Sequence, residues 1–383
     1  MPTATAPTSQ LRATQIPFEA PEHVREALAS MGRTEDVRLS PSGNRLAFAC
    51  YTLDQVAVAD VAISRTAAGV EVAVTDLARY SSTSLREPHG VDFVDDQTIV
   101  VGNRSGEIAV LRLPLSGADG QATRVGSVVS ELGAVGSVAV RPLSTGGHEL
   151  LTVHNWANAL ARYLLDEDGT ISGGEVVVGR WLDLPDGLTR SSDGRWLAVS
   201  NHNTHDVLVF ESEALNGDAD PVGVLRGAGY PHGLRFGLDD GLLVVADAGA
   251  PYVDVFERAG DTWATVSYPV TTIRVMDDDT FTRGHHNARE GGPKGLDVDP
   301  RTNVLVITAE SAPVAFFDVD LALEVREVRP RVGYELERLS DLEHSKKASA
   351  EAVNQLNAVL GTKAWRLTSP ARAAYGRLRR SRR

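Results

Sequence analysis

LPDGLTRSSDGRWLAVSNHNTHDVLVF, residues 184–210, reads as three short strands separated by turns. Pro185-Asp186-Gly187 leads into a strand beginning at Leu188, and Ser192-Asp193-Gly194 reverses the chain. Residues 196–200 form a second strand, a polar knot at 201–206 turns the chain again, and residues 207–210 form a third. Short strands broken by turn residues at such intervals predict an antiparallel meander. The same frame recurs along the chain. Pro88-His89-Gly90-Val91, Tyr230-Pro231-His232-Gly233-Leu234 and Pro293-Lys294-Gly295-Leu296 each open a copy, and weaker copies begin at Val37 and Val138. The six starts, Val37, Val91, Val138, Leu188, Leu234 and Leu296, are spaced by about 46 to 62 residues,. The pattern predicts an all-β fold, a six-bladed β-propeller of four-stranded antiparallel blades.

The repeat occupies residues 34–335 and sets the domain organisation. Residues 1–17 are rich in Thr, Ala, Pro and Ser and predict a disordered arm; residues 21–31 predict a short helix, completing an N-terminal piece of 1–33,. Each blade is expected to supply its own fourth strand, with residues 324–330 serving the last and no strand exchanged to close the ring. A long insertion at 272–292, carrying Asp277-Asp278-Asp279 and His285-His286, interrupts blades five and six,. Residues 336–383 predict a C-terminal helix and a basic tail, since Leu339, Leu342, Val353, Leu356 and Leu360 approximate a helical stripe,. Within the tail, residues 363–383 hold eight Lys or Arg and no acid.

The single cysteine, Cys50, excludes a disulfide framework and falls in a strand, where it reads as a small buried side chain,. A net charge of −13 speaks against nucleic acid as the partner,. No apolar run is long enough to span a membrane, and no basic-then-apolar leader stands at the N-terminus,. A cytoplasmic location is expected. No Gly-rich loop joins a strand to a helix, so nucleotide binding has no support.

In a propeller, the loop leading into each innermost strand and the loop joining strands two and three lie at one mouth of the channel. The first set is read as Asp36, His89, Ser137, Asp186, His232 and Lys294. The second is Asn103, His154 with Asn155, Asn201 with His202, Asp247 and Glu310. Four of the ten histidines fall on these positions. Three chemistries fit. His89, His154, Asp186 and His232 are candidate ligands for a divalent ion, zinc or calcium. His232, His202 and Glu310 are candidates for general acid–base work, and Asn103, Asn155, Asp247 and Lys294 for holding a polar ligand. Alternatively, the same residues are turn groups lining a wet mouth.

Pro185-Asp186-Gly187-Leu188, then Ser191-x-Asp193-Gly194, then Leu197-x-Val199 resembles the blade of the regucalcin–gluconolactonase group and the wider lactonase-like propellers. That resemblance implies a divalent ion at the mouth, with Asp186 at a ligand position, while the family's later Pro-Asp-Gly ligand position falls on Lys294. His89 and His232 at Pro-His-Gly turns are similar to the zinc-binding propellers of amidating lyases. Residues 364–372, AWRLTSPAR, are similar to C-terminal segments of bacterial surface-polysaccharide glycosyltransferases. Together these imply a polar small molecule or glycan as ligand and metal-assisted, lactonase-like hydrolase or lyase chemistry. The alternative is a non-catalytic scaffold or regulatory propeller in surface-polysaccharide assembly. In either case, residues 363–383 would contact a membrane's inner face or an acidic partner.

Overall fold

The computed structural model describes residues 14–114 and 118–329. It is a six-bladed β-propeller. Blade 1 holds Thr34–Leu39, Arg45–Cys50, Gln55–Thr66 and Gly69–Ser81. Blade 2 holds Pro88–Asp95, Thr98–Asn103, Glu107–Arg112 and Thr123–Val129. Blade 3 holds Val135–Pro142, His148–His154, Ala159–Leu165 and Ile171–Val178. Blade 4 holds Pro185–Arg190, Trp196–Asn201, Asp206–Glu211 and Gly223–Arg226. Blade 5 holds Pro231–Gly237, Leu242–Asp247, Tyr252–Glu257 and Thr271–Arg274. Within each blade, neighbouring strands pair antiparallel. Innermost strands of successive blades touch all the way round, the sixth returning to the first.

Blade 6 is assembled differently from the sequence expectation. It takes Leu296–Asp299, Val304–Ala309 and Ala312–Asp318 from its own repeat, but its outer strand is Gln15–Ile16 from the N-terminal arm. The ring is therefore closed by strand exchange. The segment expected to supply that strand starts instead as helix α3, Val319–Val325, capped by Asp318, which accepts from the Asp320 and Leu321 amides. The N-terminal helix α1 spans Glu22–Ala29 and buries Val24 and Leu28. The insertion begins within the fourth strand of blade 5 and carries helix α2, Asp278–Arg283. Asp277 caps α2 by accepting from the Thr280 amide, so part of the acidic run serves local structure,. The expected helix and tail at 336–383 lie outside the described residues.

The core explains why a four-stranded unit needs its neighbours. Each blade's second strand is wholly or almost wholly buried, because both of its faces meet another blade. Its side chains alternate between two seams. In blade 1, Leu46, Phe48 and Cys50 pack towards blade 6, while Ala47 and Ala49 pack towards blade 2. Trp196 sits in the seam between blades 4 and 5 with Leu243 and Val245. Six apolar layers result, one per seam.

Near the mouth the innermost strands approach so closely that a side chain has no room. A Cβ on Gly187 of blade 4 would lie 2.1 Å from the carbonyl oxygen of His232 in blade 5. A Cβ on Gly233 would lie 2.5 Å from that of Lys294 in blade 6. Backbone is the obstacle in both cases, so neither contact relaxes by rotating a side chain. Gly187→Ala is expected to cost about 3 kcal/mol in denaturant unfolding, as overpacked sites do. Gly120→Ala, whose nearest neighbour in space is 3.9 Å away, should change stability by less than about 1 kcal/mol.

Candidate functional site

Every blade but the last carries a register break where the chain enters its innermost strand, as between Pro185 and Leu188 or Pro231 and Leu234. In each blade the residue two positions before the apolar anchor lies at the mouth, which in blade 3 is Gly136 and not the expected Ser137. Those residues are Glu35, His89, Gly136, Asp186, His232 and Lys294, and each one with a side chain is buried. Three of them come together across the channel around His232. The His232 ring centroid lies 5.7 Å from that of His89 and 5.3 Å from that of His202. Its Nδ1 is 3.1 Å from Asp186 Oδ2 and its Nε2 is 3.6 Å from Glu35 Oε2.

The second set divides by position. The last residue of strand two fastens the loop that leads into the innermost strand. Asn103 accepts from the Arg86 amide and donates to the Ser84 carbonyl. His154 donates from Nδ1 to the Gly133 carbonyl and accepts at Nε2 from Thr152 Oγ1. Asn201 accepts from the Asp183 amide, and Asp247 accepts from the amides of Gly229 and Tyr230. These groups satisfy buried backbone, so Asn103, His154 and Asp247 stand apart from the site the sequence assigned to them. The next residue in the turn is the one that reaches the mouth: Arg104, Asn155 and His202. Glu310 lies at the rim, 3.7 Å from both Arg33 and His286.

Two subsites emerge. In the first, Asp186 Oδ1 accepts from Asn155 Nδ2 at 2.8 Å and from Arg104 Nη2 at 3.2 Å, while Oδ2 faces His232 and His202. Arg104 also donates to His89 Nε2 at 2.6 Å and to Asn155. His89 donates from Nδ1 to the Gly136 carbonyl, which fixes its neutral tautomer and leaves Nε2 occupied by Arg104,. His202 differs. Its Nε2 is buried without a hydrogen-bond partner, 3.8 Å from Asp186 Oδ2, and its ring stacks on Tyr230 at 4.0 Å.

In the second subsite, Lys294 Nζ donates to both oxygens of Glu35, at 3.0 and 3.2 Å, and to Glu290 at 2.6 Å. Arg33 contacts Glu35 and lies 3.8 Å from Glu290. Glu290 comes from the long insertion, which thus closes over this side of the mouth, and His286 stands 3.3 Å from it.

The electrostatics follow from burial against pairing. Burial alone would raise Glu35, but Lys294, His89 and Arg33 hold it far below the usual carboxylate range. Asp186 is treated likewise: burial opposes its charge, yet His232, His89, His202 and Arg104 keep it ionised. Burial opposes the charge of Glu290 as well, but Lys294 holds it down at about 2. The imidazoles go the other way. Burial, with Arg104 beside it, lowers His89 to about 4, and burial lowers His202 to about 3,. Below this ring lies a second layer. Asp36 accepts from the Val91 amide of the next blade, Asp92 from the Val140 amide, and Asp297 from the Leu39 amide. Burial raises Asp36 and Asp92 to about 6.

Sequence reasoning missed Glu35, Arg104, Arg33 and Glu290. Glu35 was one position away: it precedes Val37 by two residues, as His89 precedes Val91. Asp36 instead takes the place of the glycine in the repeat and joins the lower layer.

A family model described as the lipoprotein LpqB beta-propeller domain matches residues 3–157. No curated protein matches the chain. Among solved structures it is similar to a putative gluconolactonase at 15% identity, covering 76% of this chain and 89% of that one, with a TM-score of 0.47. It is also similar to a calcium-binding regucalcin from Agrobacterium tumefaciens at 12% identity, covering 75% and 90%, with a TM-score of 0.46. A luciferin-regenerating enzyme aligns at 13% identity over 75% and 91%, with a TM-score of 0.49.

The neutral imidazoles give a pH signature. His89 and His202 are lowered from 6.5 to about 4 and about 3. Their contribution to stability is therefore complete above the unfolded value and is lost as pH falls from 6.5 through those values. Asp36 and Asp92, raised from 3.8 to about 6, act in the opposite sense. Stability falls as pH rises from 3.8 through 6 on their account. Global unfolding thus mixes the two, but imidazole NMR shifts separate them: His89 and His202 should show no titration between pH 7.5 and 5.5. A midpoint near 6.5 for either ring would contradict the buried geometry.

Proposed function

We propose that the mouth is a divalent-metal-dependent hydrolytic site of lactonase type, acting on a small polar substrate that carries a carbonyl or carboxylate oxygen. One observation carries this reading: the orphaned Nε2 of His202, buried beside Asp186 and His232. Among the described residues, Asp186, His202 and His232 form one group able to hold an ion, and Glu35, His89 and His232 form another. The first fits better. His89 already spends its free nitrogen on Arg104, whereas His202 has a buried nitrogen with no partner. Two imidazoles and one carboxylate form a donor set suited to zinc or a similar transition ion. Calcium asks for six or more oxygens. An imidazole that stays neutral to low pH binds without competing protons.

Bound there, the ion would supply Lewis-acid polarisation of the substrate oxygen. The chain supplies the rest. Arg104 offers a guanidinium beside the subsite, able to orient an anionic oxygen. Asn155 holds Asp186 in place through its amide, as supporting groups do around metal ligands. Lys294 points into the mouth, but Glu35 and Glu290 match its charge, so its repulsion of an ion at Asp186 is offset. Glu290 and the insertion shield that side from water.

A second reading rests on charge balance. Glu35, Asp186 and Glu290 are matched in number by Arg33, Arg104 and Lys294. Such a mouth is complete without an ion, which supports a non-catalytic propeller that binds a polar molecule or glycan and scaffolds other components. In that reading the basic residues 363–383 would dock it to an anionic membrane face or an acidic partner.

Metal content separates the two readings. Protein equilibrated with zinc and then dialysed should retain close to one ion per chain by atomic emission. His202→Ala and His232→Ala should each weaken retention by about tenfold or more, while His154→Ala should leave it unchanged. Turnover across a panel of simple lactones should fall in parallel with metal. A protein that retains no metal and opens no lactone refutes the hydrolytic reading and leaves the scaffold.

A further inference from the structure

At the face opposite the mouth, blades 3 and 4 part around a crevice lined by Arg141, Glu149, Arg190 and the turn Ser191–Gly194, and it continues past Arg162. Three guanidinium groups meet there on one carboxylate. Arg141 stands near the end of the innermost strand of blade 3, Arg162 is on that blade's third strand, and Arg190 ends the innermost strand of blade 4. Glu149 Oε2 lies 2.9 Å from Arg141 Nε and 2.7 Å from Arg190 Nη1, and Oε1 lies 3.0 Å from Arg162 Nε.

One carboxylate cannot satisfy three forks. Only the Arg141 contact has the alignment of a hydrogen bond. Arg162 Nε and Arg190 Nη1 sit within ion-pair distance, yet both are buried with no hydrogen-bond partner. Glu149 thus meets their charge without lining up well with either N–H, in a place where a poorly made hydrogen bond is costly,. Two further carboxylates at the crevice, Asp193 and Glu211, have partners of their own. Asp193 accepts from Ser191 Oγ and the Arg195 amide, and Glu211 faces Arg195 at 3.8 Å. Burial, together with Arg141 and Arg162, brings Arg190 down to about 10 despite its contact with Glu149. The side chain of Arg190 is 9% exposed and that of Glu149 is 8%, while Arg162 and Arg141 are open to solvent at 27% and 43%. The cluster is thus anchored at its base and accessible at its rim.

We propose that this crevice is a binding site for a tetrahedral oxyanion, held by Arg141, Arg162 and Arg190 beside Glu149. The ligand is inorganic phosphate or the phosphate group of a small molecule. Guanidinium forks reaching in from three strands suit an acceptor with oxygens facing several directions, which a phosphate has and a planar carboxylate lacks. The site is independent of the mouth, since it lies at the other ends of the same strands.

The test is calorimetric titration of the full chain with inorganic phosphate and with phenyl phosphate, at constant ionic strength set with sodium chloride. Saturable binding of one anion per chain is expected, and the tighter of the two ligands identifies its source. Arg162→Gln should weaken binding about tenfold while leaving zinc retention at the mouth unchanged. Glu149→Gln removes the competing carboxylate. It should tighten phosphate about tenfold, and phosphate should raise its melting temperature more than that of the parent. A purely structural ion cluster gives the opposite pattern. Phosphate would then stabilise no more than chloride at matched ionic strength, and Glu149→Gln would lose stability without gaining affinity. Either result overturns the proposal.

Discussion

The structure depends on how closely neighbouring innermost strands approach at the mouth. The backbone at Gly187 abuts the His232 carbonyl, and that at Gly233 abuts the Lys294 carbonyl, with no space for a Cβ. Ordinary sheet packing keeps faces about 10 Å apart, too far for short side chains on different blades to share a proton or an ion. The bulge and glycine remove that separation at one level of the channel. The residue just before each glycine is thereby brought beside its counterparts. Asp186 and His232 meet at 3.1 Å though blades apart in sequence, and Lys294 reaches Glu35 at 3.0 Å across the junction of blades 6 and 1. The feature that closes the ring also gathers its polar residues.

Gathering charges in a buried place carries a penalty that only mutual pairing offsets. The mouth meets it in two ways. Carboxylates are kept ionised by cations placed on other blades, so no strand carries both members of the Glu35–Lys294 or Asp186–Arg104 pair. The imidazoles of His89 and His202 are kept neutral by burial, which turns them from charges into donors of a lone pair. His89 spends that lone pair on Arg104, and His202 does not. Two histidines in nearly the same surroundings thus differ in one respect: the Nε2 of His89 is occupied and that of His202 has no hydrogen-bond partner.

Much of this was legible in the sequence, and the failures have specific causes. The repeat placed His89, Asp186, His232 and Lys294 at one register position, because a β-period repeat fixes which face of each strand a residue occupies. Glu35 was displaced by one residue, because blade 1 lacks the glycine found at this position in blades 2, 4, 5 and 6, and Asp36 stands there instead; in blade 3 it is Ser137, and the mouth position falls on Gly136. Asn103, His154 and Asp247 carry the same residue types as a binding set, but they end strand two, where the loop beyond needs its backbone satisfied. Only the hydrogen bonds distinguish them from Arg104, Asn155 and His202 one position later. Glu290 arrives from an insertion with no counterpart in other blades, so no periodic argument could reach it. The closing strand, Gln15–Ile16, is two residues long and lies too far from its partner in sequence for any pattern to announce it.

That closing strand bears on the site as well as on the ring. Ile16 enters the apolar layer between blades 6 and 1, alongside Val37, Phe48, Val306 and Phe316. The mouth pair Glu35–Lys294 spans the same seam, and a Cβ at Gly295 would lie only 2.5 Å from the Asp36 Cα there. The outer part of this seam is held by the exchanged strand, by the pairing of Phe18–Glu19 with blade 1 and by Arg65 reaching Asp318, and its inner edge by a buried ion pair. In the other five blades, by contrast, the outer strand comes from the blade's own repeat or directly after it. Asp186, His202 and His232 are held between blades 4 and 5, away from that junction. The two subsites therefore differ in footing: the Asp186–His202–His232 group is built on consecutive blades, and the Glu35–Lys294 group straddles the junction where the propeller is closed.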